Sequence, residues 1–105
     1  MAGYRVTDTG RLFENAVYLQ LLYEGWSVHV GKLYGKEVDF VATKDGRVLY
    51  VQATDEMFAS ETREREIAPL KSIRDNHEKI VVARQGSHDT DIDGIRIVSA
   101  RDFFL

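Results

Sequence analysis

Apolar residues recur at helical spacing through Leu12, Phe13, Ala16, Val17, Leu19, Leu21, Leu22 and Tyr23, then give way after Gly25 to short, nearly continuous apolar runs. The first stretch predicts a helix capped at Thr7, Asp8 or Thr9 and running to about Glu24, with Gly25 as its left-handed C-terminal residue. Its apolar positions cover most of the circumference, so the helix is expected to be well buried. Trp26 to Tyr34 reads as a strand, Lys36 to Thr43 as a second after a turn at Gly35, and Arg47 to Thr54 as a third. Asp55 to Ser60 reads as a loop and Glu61 to Asp75 as a charged helix, in which Pro69 removes an amide donor and predicts a kink or a break. Lys79 to Ala83 is a short buried-strand pattern, Gln85 to Asp93 a polar loop, and Gly94 to Val98 a last strand. The order α-β-β-β-α-β-β predicts an α/β domain, a mixed sheet with flanking helices.

The most informative local signal lies between the second and third strands. Asp45-Gly46 is a strong type I′ hairpin dipeptide, because both central residues of that turn need positive φ. The register it sets pairs Lys44 with Arg47, Val41 with Tyr50 and Asp39 with Gln52. An acid and an amide thereby become neighbours within runs that are otherwise apolar or β-branched, where Asp in particular is disfavoured. Glu14 is the third misplaced polar residue, with Val17, Tyr18 and Leu21 following on its side of the helix. A carboxylate there is either a salt-bridged residue at the helix edge or a ligand for a cation.

Composition narrows the chemistry. The 105 residues make one domain, with 44% hydrophobic and 30% charged residues as in a globular chain that works in water. No apolar run could span a bilayer and no leader pattern opens the chain, so no membrane partner and a cytoplasmic setting are expected. The absence of cysteine excludes disulfides, thiolate metal sites and thiol catalysis. A net charge of −3 and a pI near 5.6 exclude a protein that coats nucleic acid by bulk electrostatics, leaving a local basic stripe as the remaining option. Arg63, Arg65, Lys71 and Arg74 are the candidate phosphate contacts, interleaved with Glu61, Glu64 and Glu66 that make a solvated ion-paired face the competing reading.

Gly10-Arg-Leu-Phe-Glu14-Asn-Ala-Val-Tyr18, Gly35-Lys-Glu-Val-Asp39-Phe-Val-Ala, Tyr50-Val-Gln52-Ala-Thr54 and Thr62-Arg-Glu-Arg-Glu66-Ile-Ala-Pro69-Leu together resemble the C-terminal domain of a family of prokaryotic AAA+ ATPases. That domain belongs to the PD-(D/E)XK nuclease superfamily. The resemblance extends over nearly the whole chain, and the closing Asp102-Phe103-Phe104-Leu105 is similar to the way such ATPases end. It implies a restriction-endonuclease-like topology, DNA as a partner, and an ATPase domain on the same native polypeptide. It also implies a divalent-ion site of Glu14, Asp39 and Gln52, whose oxygen ligands suit Mg²⁺ or Mn²⁺. The lysine of the motif would stand where Thr54 stands, and threonine supplies no cation. Lys71, Arg63 or Arg65 are candidate substitutes. Two functions are therefore open: a metal-dependent nuclease-like module, or a catalytically silent interaction or DNA-docking domain.

The remaining signals are weaker. Asp89, Asp91, Asp93 and Gly94 imitate the first half of a calcium loop, but its twelfth position is Ala100, so a polar surface turn is expected. His29, His77 and His88 have no common ligand spacing and are expected to be solvent-facing or hydrogen-bonded.

Overall fold

Asp45 and Gly46 both adopt positive φ, 50° and 79°, so the hairpin forms as its dipeptide predicts, with Lys44 opposite Arg47 and Val41 opposite Tyr50. The computed structural model describes residues 3–33, 36–86 and 90–105. Its elements are α1 (Gly3–Tyr23), β1 (Ser27–Leu33), β2 (Lys36–Lys44), β3 (Arg47–Glu56), α2 (Ser60–Lys71), β4 (Glu78–Gln85), β5 (Asp91–Ile92), β6 (Ile95–Ser99) and α3 (Ala100–Phe104). The six strands form one sheet in the order β1-β2-β3-β4-β6-β5. β1 to β3 make an antiparallel meander, β4 runs parallel to β3 after the α2 crossover, and β6 runs parallel to β4. The chain is thus an α/β domain with a mixed sheet and flanking helices.

Each face of the sheet carries its own core. Leu49, Val51 and Ala53 of β3 pack with Phe13, Val17 and Leu21 of α1, while Tyr50 packs with Ile67 and Leu70 of α2. Alternation along β3 therefore sends Gln52 and Thr54 to the α2 side. β2 breaks this alternation: Val38 joins the α2 core but Phe40, two residues on, joins the α1 core. The cause is a β-bulge. Val30 pairs with Phe40 and Gly31 with Val38, which leaves Asp39 as the extra residue. A Cβ on Gly31 would meet the Val38 carbonyl oxygen at 3.0 Å and Val41 Cγ2 at 2.9 Å, so only glycine allows β1 to follow the bulge this closely. Gly31→Ala is expected to lower stability by about 1–3 kcal/mol in urea unfolding. An unchanged midpoint would show that the strand shifts without strain.

Several boundaries differ from the sequence reading. α1 begins at Gly3, so Thr7, Asp8 and Thr9 lie within the helix, since a capping preference does not stop a helix that has no breaker before it. Its end is as expected: Gly25, at φ 96°, follows a turn in which Gly25 N–H donates to Leu22 and Trp26 N–H to Leu21. α1 is not buried all round. Leu12, Leu19, Leu22 and Tyr23 are exposed, because a helix lying on one sheet face has only one covered side.

α2 continues through Pro69 and ends at Lys71, short of Asp75; the proline lies so near the end that it shortens the helix and does not split it. β3 runs on to Glu56, whose Oε2 accepts the amides of Phe58 and Ala59. A hydrogen bond from Thr62, followed by these amide contacts, pulls the Glu56 pKa below the usual carboxylate value. The side chain thus caps α2, whose Ncap residue Ala59 offers none. The polar loop contains the two-residue β5, turned back by Asp93 and Gly94 at positive φ. Asp93 pairs with Lys71 at 3.2 Å, so this segment is a surface turn as expected, while His88 and Asp89 of the same loop and the Gly35 turn lie outside the described residues. The added α3 is capped by the Ser99 hydroxyl, which accepts from Asp102 N–H.

Candidate functional site

Asp39 and Gln52 are adjacent, and each side chain binds the other's strand. Gln52 Oε1 accepts the Asp39 N–H at 2.8 Å, and Asp39 Oδ2 accepts the Ala53 N–H at 2.8 Å. Side chains thereby take over hydrogen bonds that the backbone ladder would make across an unbulged pair. Gln52, only 5% exposed, also donates from Nε2 to the Glu66 carbonyl at 3.3 Å, tying β2, β3 and α2 together.

Glu14 reaches this region from the opposite helix. A cleft of about 320 Å³ is lined by Arg11, Glu14 and Asn15 of α1, Val30 and Gly31 of β1, and Val38, Asp39 and Phe40 of β2. Burial, and then the negative charge of Asp39, raise the Glu14 pKa, with Arg11 acting in the other direction. A further acid was not singled out as a site residue by the sequence. Glu66 of α2, its side chain 16% exposed, has its pKa pushed up to about 7 by burial and then by Asp39, with Glu14 adding to the rise and Arg65 opposing it. Within its charged helix Glu66 looks like any surface residue; its signal is its position beside Ile67, one residue off the buried Thr62–Ile67–Leu70 stripe.

Glu14, Asp39 and Glu66 thus share one electrostatic environment. Among the described residues, however, no three His, Cys, Asp or Glu side chains form a group that could by itself close around a metal ion. The donor set suits a cation that keeps much of its water and takes one or two carboxylates, which is how Mg²⁺ is usually held. Glu14 and Asp39 are the residues that could hold it. Gln52 braces the strands through both ends of its amide.

Thr54 is buried, and its hydroxyl donates to the Glu56 carbonyl at 3.2 Å. The four basic candidates do not make a single stripe. Arg63 donates to the Met57 carbonyl, Lys71 pairs with Asp93, and Arg65 lies 4.0 Å from Glu66. Arg63 and Lys71 line one groove with Ile67 and Ile92, while Arg74 is exposed beyond the end of α2. His77 packs against the Tyr50 ring and donates its backbone N–H to Asp75, and His29 is exposed on β1, in line with the roles expected of them. Among the described residues, no helix is long and apolar enough to cross a membrane.

The chain is similar to an uncharacterized protein of Haemophilus influenzae. The two are 41% identical over 103 residues, which is 98% of this chain and 25% of the relative. The chain therefore spans about a quarter of the length of that protein. No family model and no solved structure matches it.

Proposed function

We propose that the chain is a nuclease-like, nucleic-acid-directed module of the restriction-endonuclease-like, PD-(D/E)XK type, with Mg²⁺ or Mn²⁺ held by Glu14 and Asp39. The observation that carries this reading is the convergence of carboxylates from α1, β2 and α2 on a β-bulge, with the Asp39 carboxylate fixed by Ala53 N–H. Acids gathered in this way repel one another unless a cation offsets their charge. When bound, the ion supplies Lewis acidity toward a phosphodiester and a lowered pKa for water. The chain's own share is to orient the acids, which the Gln52 brace does, and to hold the phosphate. In the longer native polypeptide we place an ATPase domain, with DNA as the partner and the cytoplasm as the setting.

The second reading, a catalytically silent interaction or DNA-docking domain, rests on Thr54. A buried threonine whose hydroxyl is committed to Glu56 provides no charge for the attacking water. Calorimetry and cleavage assays separate the two. Mn²⁺ should bind wild type weakly and Asp39→Asn not at all, since the amide keeps an oxygen for Ala53 N–H but loses the charge. Equal affinities would remove the cation site. Labelled DNA in Mg²⁺ or Mn²⁺ should be cut slowly or not at all, and Thr54→Lys should raise the rate by about tenfold or more. Brisk wild-type cleavage that is lost in Asp39→Asn would mean another cation has replaced the motif lysine. If neither protein cuts DNA or RNA, the silent reading stands.

A further inference from the structure

We infer that Arg11 is the phosphate-holding residue of the Glu14 and Asp39 cleft, taking over the part that Thr54 cannot play. This rests on the nuclease-like reading and adds to it the residue that meets the nucleic-acid backbone. Arg11 precedes Glu14 by one helical turn, so the two side chains lie on the same side of α1. Both line the cleft that also contains Asp39, and Arg11 is the cation lining it among the described residues.

Among the described residues its guanidinium is uncommitted. Arg11 is exposed and is drawn electrostatically toward Glu14, yet among the described residues it makes no hydrogen bond or ion pair. Several cations elsewhere are already engaged: Arg63 with the Met57 carbonyl, Lys71 with Asp93, Arg47 with Glu78 and Arg84 with Asp55. A phosphodiester entering the cleft meets the carboxylates of Glu14 and Asp39, whose repulsion one divalent ion offsets only in part. An arginine at the lip of the cleft lowers that barrier. Its planar fork can donate two parallel hydrogen bonds to non-bridging phosphate oxygens. Such a contact reads charge and shape and not base identity, so single-stranded and duplex DNA, and RNA, are all within its reach.

The test uses fluorescence anisotropy of a fluorescein-labelled oligonucleotide, as single-stranded DNA, duplex DNA and RNA, with and without Mn²⁺. Arg11→Gln should weaken binding about tenfold and flatten the dependence on salt by about one phosphate contact. Arg11→Lys should restore part of the affinity, which a merely structural role would not do. Unfolding midpoints should not change, because the side chain is exposed. Mn²⁺ affinity, followed by calorimetry, should be retained or increase in Arg11→Gln, since a competing positive charge has gone. Equal nucleic-acid affinity and salt slope for wild type and Arg11→Gln would overturn the inference while leaving the cation site standing. Wild type that binds no oligonucleotide under either condition would overturn it too. Failure of Mn²⁺ to bind wild type would count against the cation reading alone.

Discussion

Replacing Glu66 by glutamine should stabilise the protein by about 2 kcal/mol at pH 8 and by little near pH 5. The folded state holds the Glu66 proton to about pH 7, whereas the unfolded chain releases it near the ordinary carboxylate value of 4.5. Between those values the native state binds more protons than the unfolded state, so stability falls as pH rises. Above the window the carboxylate is ionised in both states, and its burial beside Asp39 and Glu14 is fully felt. Glutamine removes the charge and keeps the shape, which abolishes this pH-dependent loss. Urea unfolding of both proteins at the two pH values provides the measurement. A stability difference that does not change with pH would show that folding does not raise the Glu66 pKa. With Mn²⁺ present at pH 8, wild type should recover stability by mass action and Glu66→Gln should recover less.

Gln52→Ala should cost about 2–4 kcal/mol, because it combines two penalties. Truncation empties a buried site, and it leaves the Asp39 N–H without its acceptor and removes the Gln52 tie to the Glu66 carbonyl. Gln52→Glu separates the terms. It keeps an oxygen for the Asp39 N–H, loses the donor to Glu66, and adds a negative charge. Without divalent ions it should therefore unfold more easily than wild type at pH 8, yet bind Mn²⁺ more tightly. A Gln52→Ala variant as stable as wild type would mean that the brace contributes nothing. Tighter Mn²⁺ binding by Gln52→Glu would show that this side chain faces the ion.

Much of this was legible along the chain because it follows from local rules. The Asp45-Gly46 dipeptide sets the hairpin register, and that register alone places Asp39 beside Gln52. The bulge was not legible. It depends on a strand partner, Gly31, at some distance in sequence, and a lone glycine in a strand marks a bulge only once its neighbour is known. Glu66 was missed for a related reason: a charged helix looks solvent-facing until the sheet beneath it is in place. The same limit applies to the outer face of α1, where apolar letters gave no sign of which side would be covered. α3 carried a readable capping signal in Ser99 and Asp102, and its brevity hid it.

The clamp between Asp39 and Gln52 changes what the persistence of those two residues can mean. Each satisfies a backbone amide at the bulge, so the fold calls for both side chains whether or not the domain ever cuts a phosphodiester. A lineage that gave up catalysis would still purge substitutions at both positions, and its sequence would go on looking like that of an enzyme. Arg11 is under no such obligation. Exposed and free of hydrogen bonds among the described residues, it can drift at little cost to the fold. If the proposed phosphate contact holds, Arg11 rather than the acid and amide of the clamp is the position whose loss would record the end of nucleic-acid binding.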